Sequence, residues 1–274
     1  MPNDLFASDA NDRIAPFVRI EGDPALGLIL VCDHASNRVP ADYGDLGLST
    51  TEFERHIAYD PGAAAVTRAL AARLGIPAVM STFSRLVIDP NRGEGDPTLI
   101  MQLSDGAVIA GNAGVDDAER NRRIVELYNP YHAAITSLIE ESFDASVVPA
   151  IVSIHSFTPV WRGNIRPWHV GVLWDSDPRL AGPLVSALAA DEALVVGDNE
   201  PYSGTLKNDT LYRHATSRGL AVALIELRQD LIADHAGVEA WSARLADILA
   251  NMEDKDEIHK IRHYGSRSGP VIPI

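Results

Sequence analysis

The sequence predicts one three-layer α/β/α domain, in which helices cover both faces of a central mixed, mostly parallel, twisted sheet. Short apolar segments typical of buried strands alternate along the chain with amphipathic segments typical of helices. Hydrophobic residues make up 46% of the 274 residues, which is enough for a sizeable core. No internal repeat or low-complexity linker divides the chain. We therefore expect one domain over residues 1–252, with an N-terminal extension at 1–25 and a charged C-terminal tail at 253–274.

The first part of the chain contains short strands and helices whose ends carry recognisable signals. Residues 26–32 form a short apolar run, as expected for a strand that is buried on both faces. Thr51 and Glu54 fit a capping box at the start of a short helix, and Gly75 can end the next helix as its C-terminal cap. The predicted elements, in order, are a strand at 26–32, a short helix from 51, a helix at 62–74, a strand at 77–82 and a candidate strand at 85–89.

A long loop and a long helix make up the middle of the chain. Residues 99–115 are rich in Gly and Asp and show no sustained period, so we expect a loop. A helix follows from Asp116 or Asp117, because apolar residues recur every three or four positions from 124 to 139. Pro130 interrupts that pattern, which predicts either a kink or two separate helices.

The second half of the chain continues the alternation of strand and helix. The segment at 220–227 is a strongly apolar strand, and Gly219 before it ends a helix. The other predicted elements are strands at 149–155, 169–174 and 194–196, and helices at 178–190, 209–218 and 237–252.

Composition and charge limit the classes of function. A formal net charge of −15 argues against nucleic-acid binding, because a negative field repels phosphates, and an anionic small substrate then needs local arginines. The single cysteine, Cys32, excludes an internal disulfide and suits a reducing compartment. The N-terminus does not resemble a signal peptide, and no apolar run reaches the length of a membrane span. We therefore expect a cytoplasmic protein without a membrane partner. A homo-oligomer is compatible with the sequence, and the tail is either mobile or an arm packed on a neighbouring subunit.

Two histidines and an aspartate lie near the ends of predicted strands. In open α/β sheets, ligands bind beyond the carboxyl ends of the strands, and both His34 and His155 lie at such ends. Neutral imidazole suits Zn²⁺, and a catalytic zinc ion usually takes three protein ligands and one water. Asp60, just before a helix, is the preferred third ligand, because the neutral amide of Asn37 is a poor one. A single histidine at a strand end is more often a hydrogen-bonding turn residue, so the site depends on all three residues together.

Glu226 lies in an almost wholly apolar predicted strand, where an unpaired carboxylate is costly. Burial beside a metal ion or an arginine tunes the pKa of a general base, so Glu226 is a candidate for deprotonating zinc-bound water. A structural ion pair with Arg228 is the alternative interpretation.

The segment 84–92 carries the first cluster of arginines. It places Arg85, Asn91 and Arg92 around a short predicted strand, and the planar guanidinium group matches a carboxylate. These residues are therefore candidates for contacts with an acidic substrate. A turn that is held by an ion pair between an arginine and Asp89 is the plainer interpretation of part of this segment.

A second such segment, 161–169, follows His155. Its Arg166 and His169 are further candidates for substrate binding, whereas its tryptophans are expected to pack. Residues 199–204 are typical of an ordered turn and are expected to form a wall of the pocket.

No motif of a serine hydrolase, an NTPase or a dehydrogenase occurs in a fitting context, which leaves a metal hydrolase. Six segments in this order resemble the N-formylglutamate amidohydrolase family: CDHASNRVP, SRLVIDPNR, IHSFTP, RPWHVGVL, DNEPYSG and IELRQDLI. The similarity runs from about Leu28 to Trp241. That family is similar in fold to the zinc carboxypeptidases and aspartoacylases. The resemblance implies hydrolysis of the amide C–N bond of an N-formyl or related N-acyl amino acid, as in histidine degradation.

The motifs of that family can be matched residue by residue. His34, His155 and Glu226 match its two histidines and its late acid, and Arg85 and Arg92 match its SR…DxNR segment. The better characterised branch reads closer to P-H-S/A-G where this sequence reads D-H-A-S over residues 33–36. The serine in place of glycine changes the space for substrate beside the expected metal ion.

The resulting hypothesis is a zinc-dependent amidohydrolase that binds one Zn²⁺ ion. His34, Asp60 and His155 bind the ion, Glu226 deprotonates the attacking water, and Arg85 stabilises the oxyanion. The expected substrate is a small anionic N-acyl amino acid such as N-formylglutamate. A zinc amidase or carboxypeptidase that acts on a peptide or cell-wall fragment is one alternative, and a non-catalytic binder that retains the fold is another. The candidate substrate-binding residues are Ser36, Asn37, Arg38, Asn91, Arg92, Arg166 and His169.

Overall fold

Seven strands form the central sheet of the computed structural model, which describes residues 15–252 and 255–271. Their order across the sheet is β1-β3-β2-β4-β7-β5-β6. Strands β2, β3, β4 and β7 run parallel to one another, whereas β1 at one edge and the pair β5 and β6 at the other run antiparallel to them. The predicted mixed, mostly parallel sheet is confirmed. The strands are β1 (Phe17–Ile20), β2 (Leu28–Cys32), β3 (Ala78–Ser81), β4 (Ala150–Phe157), β5 (Val170–Leu173), β6 (Val196–Asp198) and β7 (Val222–Arg228).

Helices cover both faces of this sheet and create two cores. Along β2, Ile29 and Val31 belong to one core, whereas Leu30 and Cys32 belong to the other, because successive side chains point to opposite faces. Each fully buried aliphatic side chain contributes about 2 kcal/mol to folding. The single α/β domain is therefore a three-layer α/β/α domain, as predicted. The helices are α1 (Ala63–Leu74), α2 (Asp117–Arg123), α3 (Asn129–Asp144), α4 (Pro178–Ala189), α5 (Thr210–His214), α6 (His235–Ala250) and α7 (Lys255–Ile258).

The long helical segment in the middle of the chain contains a π-helical turn just before Pro130. This turn covers Ile124–Tyr128, between the end of α2 and the start of α3. Pro130 thus lies in the first turn of α3, where proline is well tolerated because the early N–H groups of a helix lack partners within it. Asp116 caps α2 by accepting a hydrogen bond from the Glu119 amide.

Several predicted elements differ in the structure. Residues 85–89 form turns and not the candidate strand, since the Val87 amide donates to the Ser84 carbonyl at 3.0 Å and the Asp89 amide to that of Leu99 at 2.8 Å. The helix predicted at 209–218 ends at His214, and a short 3₁₀ turn follows. The loop at 99–115 contains a two-residue strand pair, Leu103–Ser104 with Ala107–Val108.

Both chain ends are partly integrated into the domain. Within the predicted N-terminal extension, Phe17–Ile20 forms an edge strand, while residues 1–14 lie outside the described part of the chain. The described part of the tail packs on its own domain: the Arg262 amide donates to the Gly219 carbonyl at 2.8 Å, and the Arg267 side chain contacts Asp175. Across residues 15–252 and 255–271, no helix combines the length and the apolar character of a bilayer span.

Candidate active site

The ends of the parallel strands surround one cavity of about 310 Å³. His34 follows β2, His155 lies near the end of β4, and Glu226 lies in β7 directly beside His155 in the strand register. All three side chains line the cavity. The strand-end rule that predicted this cluster thus correctly places side chains from distant parts of the sequence.

His34, Asp60 and His155 form a compact buried cluster of possible metal ligands. One ligand atom of each residue lies within 4.8 Å of the others. The Nδ1 atom of His155 lies 2.8 Å from Asp60 Oδ2, and the Nδ1 atom of His34 lies 3.4 Å from the same oxygen. The Asp60 amide donates to the His34 carbonyl at 2.9 Å, which fixes the loop that carries the carboxylate. Two imidazoles and one carboxylate form a donor set that could hold a metal ion, and it suits zinc.

A carboxylate holds the far nitrogen of each histidine. His34 Nε2 lies 2.7 Å from Asp89 Oδ1, and His155 Nε2 lies 3.0 Å from Asp33 Oδ2. Such contacts fix the orientation of a metal-binding imidazole and raise its basicity. They leave both Nδ1 atoms directed at Asp60.

Asp33 is fully buried and accepts hydrogen bonds from several parts of the fold. The Tyr131 hydroxyl donates to Oδ1 at 2.9 Å and the Thr210 hydroxyl at 2.6 Å, while the Ser153 hydroxyl donates to Oδ2 at 3.2 Å. Burial opposes ionisation, but the contacts with His155 and Thr210 lower the pKa of Asp33 to about 2. The carboxylate is therefore charged at neutral pH and holds His155 electrostatically.

His155 carries a proton in this arrangement. Burial disfavours the charged imidazole, but the hydrogen bonds to Asp33 and Asp60 outweigh that effect and raise the pKa of His155 to about 10. The pKa of Asp60 is correspondingly lowered in spite of its burial, chiefly by the charge of His34 and the hydrogen bond from His155. A metal ion must therefore displace a proton from His155 when it binds.

Glu226 faces the same cavity from β7. Its side chain is only 6% exposed, and burial raises its pKa to about 7. Its Oε2 atom has no hydrogen-bond partner within the described part of the chain. A buried carboxylate oxygen without a partner, beside a set of metal-binding donors, fits a group that exchanges protons with water at that place. An ion pair with Arg228 is not formed, since Arg228 pairs with Asp230.

Arg85 lies between the candidate metal ligands and Asp89. Its Nη2 donates to Asp89 Oδ2 at 2.6 Å, and its Nη1 lies 3.8 Å from Asp60 Oδ1 and 3.2 Å from His34 Nδ1. The interpretation of Asp89 as the partner of an arginine in a turn is confirmed by this geometry. The contact with His34 shows that Asp89 also belongs to the site.

Of the predicted substrate-binding residues, Asn91 and Arg92 line the cavity. Arg166 lies behind its wall and donates to the Tyr202 hydroxyl at 2.8 Å. His169 accepts a hydrogen bond from the Val195 amide, away from the cavity lining.

Three other predicted substrate-binding residues, in the turn after β2, also lie outside the lining: Ser36, Asn37 and Arg38. Asn37 donates its side-chain amide to the Phe53 carbonyl at 2.9 Å, so it braces the neighbouring turn and does not face the metal cluster. The Ser36 hydroxyl accepts a hydrogen bond from the Arg38 amide, and the Arg38 carbonyl accepts one from Ser84. The local turn geometry therefore directs these polar groups to the protein backbone.

Several lining residues are not among the predicted site residues. His56 and Trp161 form one part of the wall with their rings in edge contact at 5.6 Å, and Tyr202 and Asp209 form another. The expectation that residues 199–204 wall the pocket is confirmed by Tyr202 and its neighbours. Asp209 gives no sequence signal beyond that of a helix cap, which it also is.

Comparison with known proteins confirms the family resemblance. The sequence profile of N-formylglutamate amidohydrolase matches residues 26–233. The structure of a gene product of Agrobacterium tumefaciens is 36% identical in sequence and has a TM-score of 0.82. The alignment covers 88% of this chain and 96% of that one. N-formylglutamate amidohydrolase from Ralstonia eutropha JMP134 is 22% identical, with a TM-score of 0.61 over 86% of this chain and 96% of that one, and shares the fold. None of the curated proteins matches significantly.

The profile match covers most of the chain. It includes the three possible metal ligands, His34, Asp60 and His155, as well as Glu226. The sheet topology, the cavity at the strand ends and the profile match all support the same family assignment. This protein therefore belongs to the N-formylglutamate amidohydrolase family and is a hydrolase that acts on amide bonds.

Proposed function

We propose that the protein hydrolyses the amide C–N bond of a small N-acyl amino acid, with one Zn²⁺ ion held by His34, Asp60 and His155. The observation that carries this proposal is the convergence of these three donors beside Glu226 in one cavity. When bound, a zinc ion lowers the pKa of water at the site and polarises the acyl carbonyl.

Glu226 is the general base and then the general acid of this reaction. Its pKa of about 7 lets it exist in both protonation states at neutral pH. It takes a proton from the attacking water as the bond from oxygen to the acyl carbon forms. It then donates that proton to the leaving nitrogen as the C–N bond breaks, which yields a carboxylic acid and a free amino acid.

Arg85 and Arg92 bind the negative charges of the reacting molecule. Arg85 is fixed by Asp89 and lies beside the metal-binding cluster, so its charge stabilises the oxygen of the acyl group as it becomes negative. Arg92 lines the cavity and binds the substrate carboxylate. The cavity of about 310 Å³ favours an amino-acid derivative over a peptide or cell-wall fragment, which needs a longer groove.

We also propose that the protein acts in the cytoplasm and not on nucleic acid. A net charge of −15 and a single, buried cysteine support this assignment.

A release assay over N-formyl, N-formimidoyl and N-acetyl amino acids tests the activity, together with metal analysis of the purified protein. We expect zinc near one ion per chain and release of the free amino acid from at least one acyl series. Glu226→Gln should lower kcat by about a hundredfold or more while zinc content is retained. Purified protein that binds no zinc, or that is unaffected by replacement of His34 or His155, would contradict the proposal.

A further inference from the structure

The cavity contains few cations that a substrate can use. Among the described residues that line it, the arginines are Arg85 and Arg92. Arg85 is paired with Asp89 and directed at the metal-binding cluster. Arg92 donates to two neutral oxygens, Thr98 Oγ1 at 3.2 Å and its neighbour's carbonyl at 2.8 Å. Arg92 can therefore bind one carboxylate, and a second carboxylate has no equivalent partner.

Arg166 does not supply the missing cation. Its side chain is 8% exposed, and its Nη1 donates to the Tyr202 hydroxyl. Three aromatic rings surround its guanidinium group, with centroid distances of 5.7 Å to Phe157, 5.2 Å to Trp161 and 5.0 Å to Tyr202. These rings form the cavity wall and separate the charge of Arg166 from the interior.

An acid lies in the cavity near Arg92 instead. Asp209 lines the cavity and is 4% exposed. Its Oδ1 accepts a hydrogen bond from the Tyr212 amide at 2.7 Å as the cap of α5, which fixes the carboxyl group. The next residue, Thr210, donates its amide to Asn91 Oδ1 at 3.2 Å, which holds this acid beside the segment that carries Arg92. Burial raises the pKa of Asp209 to about 7, so this group is a charged carboxylate above that pH.

We propose that Asp209 is a specificity-determining residue, and that the substrate is an N-acyl amino acid with one carboxylate and a side chain that donates hydrogen bonds. This inference rests on the proposed function. A glutamate side chain would bring a second negative charge towards Asp209, whereas a carboxamide of the same shape would donate an N–H to it. The net charge of −15 disfavours a dianionic substrate in the same direction.

The test compares N-formyl-L-glutamine with N-formyl-L-glutamate, which have the same shape, as substrates of the zinc-loaded enzyme at pH 8, where Asp209 is ionised. We expect the wild type to prefer the glutamine compound in kcat/KM by about tenfold or more. Asp209→Asn keeps the helix cap and should bring this ratio close to one, chiefly by raising kcat/KM for the glutamate compound. Asp45→Asn is the matched control, because Asp45 is exposed, caps a turn through Oδ1 and lies outside the cavity lining.

Binding of the free products by calorimetry provides a measurement that does not depend on turnover. L-Glutamine should bind the wild type more tightly than L-glutamate, and Asp209→Asn should remove that difference. A wild-type preference for the glutamate compound, or an unchanged ratio in Asp209→Asn, would overturn the inference and leave the amidohydrolase activity intact. Hydrolysis of no N-acyl amino acid would refute the proposed function itself, and the binding ratio would still decide the role of Asp209.

Discussion

Glu226 is buried, and its Oε2 has no hydrogen-bond partner among residues 15–252 and 255–271, so ionisation of this residue opposes folding of the metal-free protein. Its folded pKa of about 7 lies above the ordinary value of 4.5, so the folded state holds the proton more tightly. Stability is therefore lost as the pH rises from about 4.5 through 7. Glu226→Gln lacks this effect and should exceed the wild type in unfolding free energy by up to about 3 kcal/mol at pH 8.

Urea unfolding of metal-free protein at pH 5 and pH 8 measures this difference. The stability gain of Glu226→Gln should be small at pH 5 and large at pH 8. Glu140→Gln, at an exposed position, is the control and should behave like the wild type at both values. A stability gain of Glu226→Gln that does not change with pH would contradict the raised pKa of Glu226.

The protonated state of His155 predicts the pH dependence of metal binding. Because its pKa is about 10 in the metal-free protein, Zn²⁺ binding should release close to one proton at pH 7–8, and the affinity should rise with pH over that range. Calorimetric titrations in buffers of different ionisation enthalpy measure the released protons. A binding enthalpy that does not depend on the buffer would show that His155 is already neutral.

Asp33 should control how firmly the metal ion is held. Asp33→Asn removes the charge that faces His155 Nε2, so we expect the zinc affinity to fall by about 10- to 100-fold. Competition with a chromophoric chelator measures this affinity without reference to turnover. Asp230→Asn, which removes an exposed acid that pairs with Arg228, should leave the affinity unchanged.

At the scale of elements, the contact between Arg166 and Tyr202 joins two segments of the cavity wall. One is the strand pair Val160–Trp161 with Asn164–Ile165, and the other is the loop after β6. Tyr202→Phe removes the hydroxyl that accepts from Arg166, and the wall should become more mobile. We expect KM to rise several-fold with a smaller change in kcat, whereas Tyr264→Phe on the surface should change neither. Equal losses in kcat and kcat/KM would instead place Tyr202 in the chemical step.

The elements that were predicted correctly are those with a strong local pattern. β4, β7 and α1 carry long apolar or amphipathic runs and clear end signals, and their observed bounds differ from the predicted ones by a few residues. Residues 85–89 resemble a strand in sequence because they contain three consecutive apolar residues, but in the structure they form a buried series of turns. Local periodicity cannot distinguish the two cases, because packing against distant segments decides between them.

At the scale of the whole molecule, ligands of open α/β sheets bind beyond the carboxyl ends of the strands, which explains why the candidate metal site could be predicted. This arrangement brings His34 and His155 to one edge of the sheet, with Asp60 on an adjoining loop. The roles of Asp33 and Asp209 could not be predicted, because each depends on partners from other parts of the chain. Their short local sequences indicate only a turn or a helix cap. Asn37 is the opposite case: its polar side chain suggested a role in the site, but it donates a hydrogen bond to the backbone carbonyl of Phe53.

The three residues of the candidate metal site come from distant segments, so the site exists only in the folded chain. Zinc should therefore raise the unfolding free energy by about 2.7 kcal/mol at a free concentration 100 times its Kd. Thermal unfolding at increasing zinc concentration measures the effect, and the double replacement of His34 and His155 by alanine should abolish it. A similar stabilisation of that variant would indicate binding elsewhere.

The four donors that meet at Asp33 also bear on how the family diversified. The resemblance implies a branch with proline at this position, where no carboxylate would be present, so hydroxyl groups equivalent to those of Tyr131, Ser153 and Thr210 would lose their common acceptor. Exchanging aspartate for proline alone would leave several buried donors without a hydrogen-bond acceptor. The reverse exchange would introduce a buried charge without partners. Positions 33, 131, 153 and 210 should therefore covary across homologues, and a chimaera between branches should need all of them exchanged together to fold and to bind zinc.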